Sequence, residues 1–74
     1  MVEVLTVMKI SYNKLWKLLI DKKINSSDFR KSIGIAPNTM TRLRRDEDVS
    51  IKVLLKIATY LDCDISDICQ FVKE

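Results

Sequence analysis

A chain of 74 residues with one glycine and one proline has few means of making the tight turns that many short strands require, and these two residues stand close together, at Gly34 and Pro37. Helices joined by short loops suit that composition best. The length allows one small domain and excludes a barrel or a nucleotide-binding sheet enzyme, since chains this short bury only roughly 60% of their unfolded surface. Hydrophobic residues make up 47% of the chain and charged residues 31%, enough for a core and too polar for a membrane span or too apolar for a disordered tail. A compact all-α domain is expected.

The net charge of +3 conceals a strong polarity, because residues 1–45 carry +7 and residues 46–74 carry −4. One part of such a chain suits a polyanion and the other suits water or a protein, although small domains also scatter charge by chance. Cys63 and Cys69 stand without any histidine, so a four-ligand zinc site would need borrowed carboxylates or a second chain. No metal and no cofactor is expected, and both thiols are read as buried in a reducing compartment. The opening residues lack the basic leader and apolar run of a secretory signal, which places the chain in the cytoplasm. With no histidine, no Gly-rich phosphate loop and no carboxylate pair suited to a cleft, enzyme activity is not expected.

Along the chain, residues 1–7 read as an optional N-terminal arm, a short edge strand or disordered, and residues 8–74 as the domain. Ser11 is a candidate N-cap for a helix running to about Lys23, with Tyr12, Leu15, Trp16 and Leu19 on its apolar face and Leu18 and Ile20 broadening it. Asn25 caps a short second helix from Ser26 to about Ile33, with Asp28 in its first turn. Gly34 ends that helix, and Pro37 suits the first position of a third helix reaching about Arg45. The run Asp46-Glu47-Asp48 reads as a solvated loop. Ser50 caps a fourth helix with Ile51, Leu54, Leu55 and Ala58 on its core face, widened by Val53, Ile57 and Leu61. Asp64 caps a fifth, Ile65 to about Val72, with Ile65, Ile68, Cys69 and Val72 inward.

Two short helices joined through a glycine turn form a helix-turn-helix, whose second member enters the major groove while the first crosses the backbone. In the third helix Met40 and Leu43 are spaced to face the core. Asn38, Thr39, Thr41, Arg42, Arg44 and Arg45 remain outward, with no acid among them. Asn pairs with adenine and Arg with guanine through two bonds each, and Thr reaches base edges, phosphate or the thymine methyl. Arg44 and Arg45 could instead pair with the acids that follow, but surface pairs are weak and six polar groups on one acid-free face are harder to assign to solvation. Lys9, Lys14, Lys22, Lys23, Arg30 and Lys31 read as a mixture of phosphate contacts and solubilising charge. Lys22, Lys23 and Lys31 flank the backbone-crossing helix and are the stronger candidates. Trp16 reads as a core anchor.

From Ile10 to Val72 the chain resembles the Cro/C1-type helix-turn-helix regulators, in particular a short stand-alone subfamily that includes the VanU-type regulators. The resemblance is carried by Ser11-Tyr12-Asn13-Lys14-Leu15-Trp16-Lys17-Leu18-Leu19, by Asp48-Val49-Ser50, by Leu54-Leu55-Lys56-Ile57 and by Leu61-Asp62-Cys63-Asp64-Ile65-Ser66-Asp67-Ile68. It implies a compact five-helix lambda-repressor-like domain that binds double-stranded DNA, usually as a homodimer on two half-sites. By the same resemblance Gly34 matches the turn glycine, Ser26 the first residue of the preceding helix, and Asn38, Thr39 and Arg42 the reading positions, with Thr41 beside them. Pro37 falls where a base-contacting polar side chain is frequent, Arg30 where a small alanine is frequent, and Arg44 where an acid is frequent. The specificity of relatives therefore does not transfer.

The expected function is sequence-specific regulation of transcription through residues 37–45, with no effector domain for a small molecule. The alternative is a protein-interaction module, antitoxin-like or a regulatory partner, in which the helix-turn-helix is a scaffold and Ile68, Phe71 and Val72 dock another chain. Salt separates the two, since phosphate binding by Lys and Arg displaces counterions and an apolar surface does not.

Overall fold

The computed structural model describes residues 7–73. Its elements are β1 (Met8–Ser11), α1 (Asn13–Asp21), α2 (Ser26–Ile33), α3 (Pro37–Arg44), α4 (Ile51–Leu61), a 3-10 turn (Ile65–Asp67) and β2 (Gln70–Lys73). The described residues thus hold four α-helices and a two-stranded antiparallel sheet rather than five helices alone. Of the arm, residues 1–6 lie outside the described residues, and Val7 is an exposed residue leading into β1. No helix among the described residues is long and apolar enough to cross a membrane.

The expected fifth helix is replaced by a turn and a strand. Asp64 accepts the Ile65 amide at 2.7 Å, and Asp67 accepts the Asp64 amide at 3.3 Å, so a capping box locks a single 3-10 turn. Beyond it, Gln70–Lys73 pairs with Met8–Ser11, setting Lys9 opposite Val72 and Ile10 opposite Phe71. The helical spacing was real for Ile68 and Cys69, which are buried, but the ladder supplied by the far end of the chain overrides it for the rest. Ser11 accordingly ends β1 instead of capping α1; Tyr12 is the N-cap, and Ser11 Oγ is only a distant acceptor, 3.4 Å from the Asn13 amide.

The core is built from Tyr12, Leu15, Leu19, Phe29, Ile33, Ile35, Met40, Leu43, Leu54, Ile57, Leu61, Ile68 and Cys69, with Trp16 packed half-buried at its edge. Ile20 is 73% exposed and does not broaden the α1 stripe. In α4 the buried set is Leu54, Ile57 and Leu61, whereas Ile51 and Leu55 are 66% and 62% exposed. The inward face of α4 is therefore rotated from the expected one, because α4 must meet both α2 and the 3-10 turn.

Helix ends explain the shifted boundaries. Lys23 (φ 58°), Gly34 (φ 66°), Asp46 (φ 55°) and Asp62 (φ 53°) adopt the left-handed conformation, one just beyond each helix. The Lys23 conformation stops α1 at Asp21, and the Asp46 conformation leaves Arg45 as the cap of α3.

Candidate nucleic-acid interface

The helix-turn-helix is assembled by local chemistry. Asn25 accepts the Asp28 amide at 2.8 Å through Oδ1, and its Nδ2 donates to Asp28 Oδ2 at 3.0 Å, so α2 begins at Ser26 as expected. At its other end the Gly34 and Ile35 amides both donate to the Arg30 carbonyl, at 3.0 and 3.3 Å. The left-handed Gly34 turns the chain, Ile35 returns to the core, and Pro37 starts α3 after the extended Ala36.

Met40 and Leu43 hold α3 against the core, at 4% and 0% exposure. Pro37, Asn38, Thr41, Arg42 and Arg44 are exposed, as is Arg45 just beyond the helix, while Thr39 is half-buried. The Thr41 hydroxyl donates to the Pro37 carbonyl at 3.1 Å, which leaves its methyl and its acceptor lone pairs for any ligand. With side chains a helix such as α3 is about 10–12 Å across, a diameter that the major groove of B-DNA admits.

Of the acids that follow α3, Glu47 and Asp48 are exposed as expected, but Asp46 is not freely solvated. Asp46 is half-buried, and its Oδ1 accepts the Tyr12 amide at 3.0 Å, capping α1 from a distant part of the chain. The Tyr12 hydroxyl donates to the Glu47 carbonyl at 2.8 Å. Tyr12 is fully buried, and burial first, then the charges of Cys69, Asp48 and Asp46, push its phenol up to about 12.

A shallow groove between α2 and α3 brings together Ser26, Pro37, Thr41 and Arg44. Ser27 and Arg30 line it too. Ser27 was not singled out from the sequence; Arg30 is four residues after Ser26, a helical spacing that puts the two on one face. Lys22 is placed elsewhere, in a separate groove with Lys14, Lys17, Asp62 and Cys63. Lys14 is further tied to the 3-10 turn, its Nζ donating to the Ser66 carbonyl at 3.1 Å. Lys23 is exposed in the turn between α1 and α2, and Lys31 is exposed in the last turn of α2. The thiols are free, Cys69 buried and Cys63 half-buried, and burial raises both above the usual thiol value.

Comparison with known proteins agrees with this geometry. The crystal structure of transcriptional regulator VanUg, Form II, is similar with a TM-score of 0.90 and 40% sequence identity, the match covering 100% of this chain and 97% of that one. No curated protein sequence matches. Residues 14–74, from the second residue of α1 to the end, match the Cro/C1-type HTH DNA-binding domain. With two short helices meeting at a left-handed glycine and a cationic second helix facing outward, the chain belongs to the Cro/C1-type helix-turn-helix family of DNA-binding domains.

Proposed function

We propose that the chain is a sequence-specific regulator of transcription that reads the major groove of double-stranded DNA with α3. The observation that carries this reading is the exposed, acid-free face of Asn38, Thr41, Arg42, Arg44 and Arg45, backed by buried Met40 and Leu43. Asn38, Thr39 and Arg42 act as base readers, with Thr41 beside them, and Arg44 and Arg45 meet bases or phosphates. Pro37 adds shape at the tip. Ser26, Lys23 and Lys31 contact phosphates, while Lys22, facing its own groove, adds only longer-range attraction.

A helix of this length touches few base pairs, so useful affinity calls for a second copy of the chain on a palindrome, with half-sites about one helical turn apart. The surface offered to that copy is the apolar ridge of Ile51 and Leu55, continued by Ile65 and Phe71. Lys52 and Lys56 lie on one side of Leu55 and Asp64 on the other. A two-fold axis running along the ridge sets the lysines of one copy against the acid of its mate, a complementarity that favours a second copy over an unrelated partner. Of the residues expected to dock a partner in an interaction module, Ile68 is fully buried and Val72 half-buried, so only Phe71 is free to serve one, and the salt response decides between the readings.

The test is a gel-shift titration against the promoter upstream of the chain's own gene, at two ionic strengths, with random duplex as competitor. Specific retention that falls steeply with salt is expected. Equal affinity for both duplexes, or binding indifferent to salt, would overturn the reading.

A further inference from the structure

We propose that Tyr12, acting with Asp46, is a positioning residue for DNA recognition: it fixes the carboxyl end of α3 and thereby the reach of Arg42 and Arg44. The proposal rests on the DNA-binding reading and goes beyond it, because Tyr12 lies in the core at 0% exposure and touches no ligand itself.

The link is a continuous run of hydrogen bonds. The Tyr12 hydroxyl donates to the Glu47 carbonyl at 2.8 Å, and the Glu47 amide donates to the carbonyl of Arg42 at 2.8 Å. The Asp46 amide donates to the Leu43 carbonyl at 3.3 Å, while the Asp46 carboxylate accepts the Tyr12 amide at 3.0 Å. With Asp46 left-handed at φ 55°, the two amide bonds form a Schellman closure of α3. Tyr12 therefore holds that closure from both sides, by its backbone amide and by its hydroxyl.

The need for such a clasp follows from the length of α3. Eight residues make little more than two turns, far below what persists unaided in water, and the last turn of a helix frays first. At the amino end the Gly34 turn and Pro37 set the path, and Met40 and Leu43 set the rotation. Leu43 anchors the last turn between Arg42 and Arg44, but beyond the helix the carbonyls of Arg42 and Leu43 are closed by the amides of Glu47 and Asp46, which Tyr12 holds. A bidentate contact to a base tolerates only a few tenths of an ångström in donor position, so a loosened last turn forfeits discrimination before it forfeits attraction to phosphate.

Three substitutions separate this role from general stability. Tyr12→Phe keeps the ring and removes the hydroxyl; Asp46→Gly keeps the left-handed backbone and removes the carboxylate; Asp46→Asn keeps both the acceptor oxygen and tolerance of the left-handed region. Each is assayed at a temperature where it is fully folded. The probes are a duplex enriched from a randomised pool by the wild-type chain and an unselected duplex, together with amide hydrogen exchange on the free protein. Tyr12→Phe is expected to accelerate exchange at the Glu47 amide beyond any global change and to lower the ratio of selected to unselected affinity about fivefold to tenfold, and Asp46→Gly to act in the same direction by less, because glycine relieves the left-handed strain at φ 55°. Asp46→Asn is expected to keep the ratio. Unchanged Glu47 exchange overturns the clasp with no reference to DNA, and accelerated exchange with an unchanged ratio overturns its role in recognition. Failure of the wild-type chain to enrich any duplex overturns the regulator reading itself, and the recognition role with it.

Discussion

Ile10 stands directly across the antiparallel ladder from Phe71, joining the strand that opens the domain to the one that closes it. The pair is unequal, since Ile10 is packed against the core and Phe71 is 72% exposed. Ile10→Ala is expected to destabilise the dilute protein by about 1–2 kcal/mol, less than a fully buried truncation. Phe71→Ala is expected to cost under about 1 kcal/mol, the worth of a cross-strand pair, and to act instead on self-association. Urea unfolding at low concentration and sedimentation equilibrium measure the two effects. A larger loss of monomer stability for Phe71 than for Ile10 would contradict this assignment.

Gly34 and Lys23 share a left-handed backbone, at φ 66° and 58°, and respond to opposite substitutions. A Cβ added at Gly34 meets nothing within 4 Å, so Gly34→Ala is opposed by backbone strain alone, about 1 kcal/mol. Lys23→Gly relieves the same strain and is expected to stabilise by about 0.5–1 kcal/mol. Thermal unfolding of the two variants should shift in opposite directions.

For DNA, Arg42→Ala is expected to weaken selected duplexes by about 1–3 kcal/mol and to relax preference at one base pair. Lys23→Ala keeps the left-handed strain and removes the phosphate contact proposed for Lys23, so it is expected to weaken all duplexes alike and to lower the salt slope by about one. Titrations against selected and random duplexes over a salt series distinguish them. An equal loss on both duplexes for Arg42→Ala would remove it from the base readers.

Stability at high pH should report Tyr12. Its phenol is raised from 10.0 to about 12, chiefly by burial, so the fold favours the neutral form. That contribution is present in full below pH 10, where the unfolded phenol is also neutral, and is lost as pH rises through about 12. Unfolding of the wild-type chain should become easier across this window, and Tyr12→Phe should show a flatter profile there. Parallel profiles would exclude Tyr12 as the source.

The legible parts of the sequence were those whose causes are local. Asn25 and Ser50 cap helices as expected, each accepting the amide three residues on, and Asp64 also caps, though a 3-10 turn in place of the fifth helix. Gly34 and Pro37 mark the turn because each residue type has a specific backbone use. The rest depended on partners remote in sequence. Ile65, Ile68, Cys69 and Val72 have helical spacing, and nothing near them signals the strand Met8–Ser11 that captures Gln70–Lys73. Lys23, Asp46 and Asp62 stop helices without the glycine that would announce it. Asp46 looked solvated because acids usually are, and only the folded chain brings the Tyr12 amide to its carboxylate; Glu47 is exposed as expected, and it is its backbone carbonyl that meets the Tyr12 hydroxyl. Of the outward residues, Thr39 is less free than its spacing implied, and Lys22 belongs to another face.

The pairing of β1 with β2 also governs how the molecule can be made. Met8–Ser11 is made before Gln70–Lys73 and has no ladder partner until that strand follows, so a nascent chain holds an open strand edge while the four helices between them are synthesised. A chain that stops before Gln70 leaves the Met8–Ser11 edge without its ladder partner.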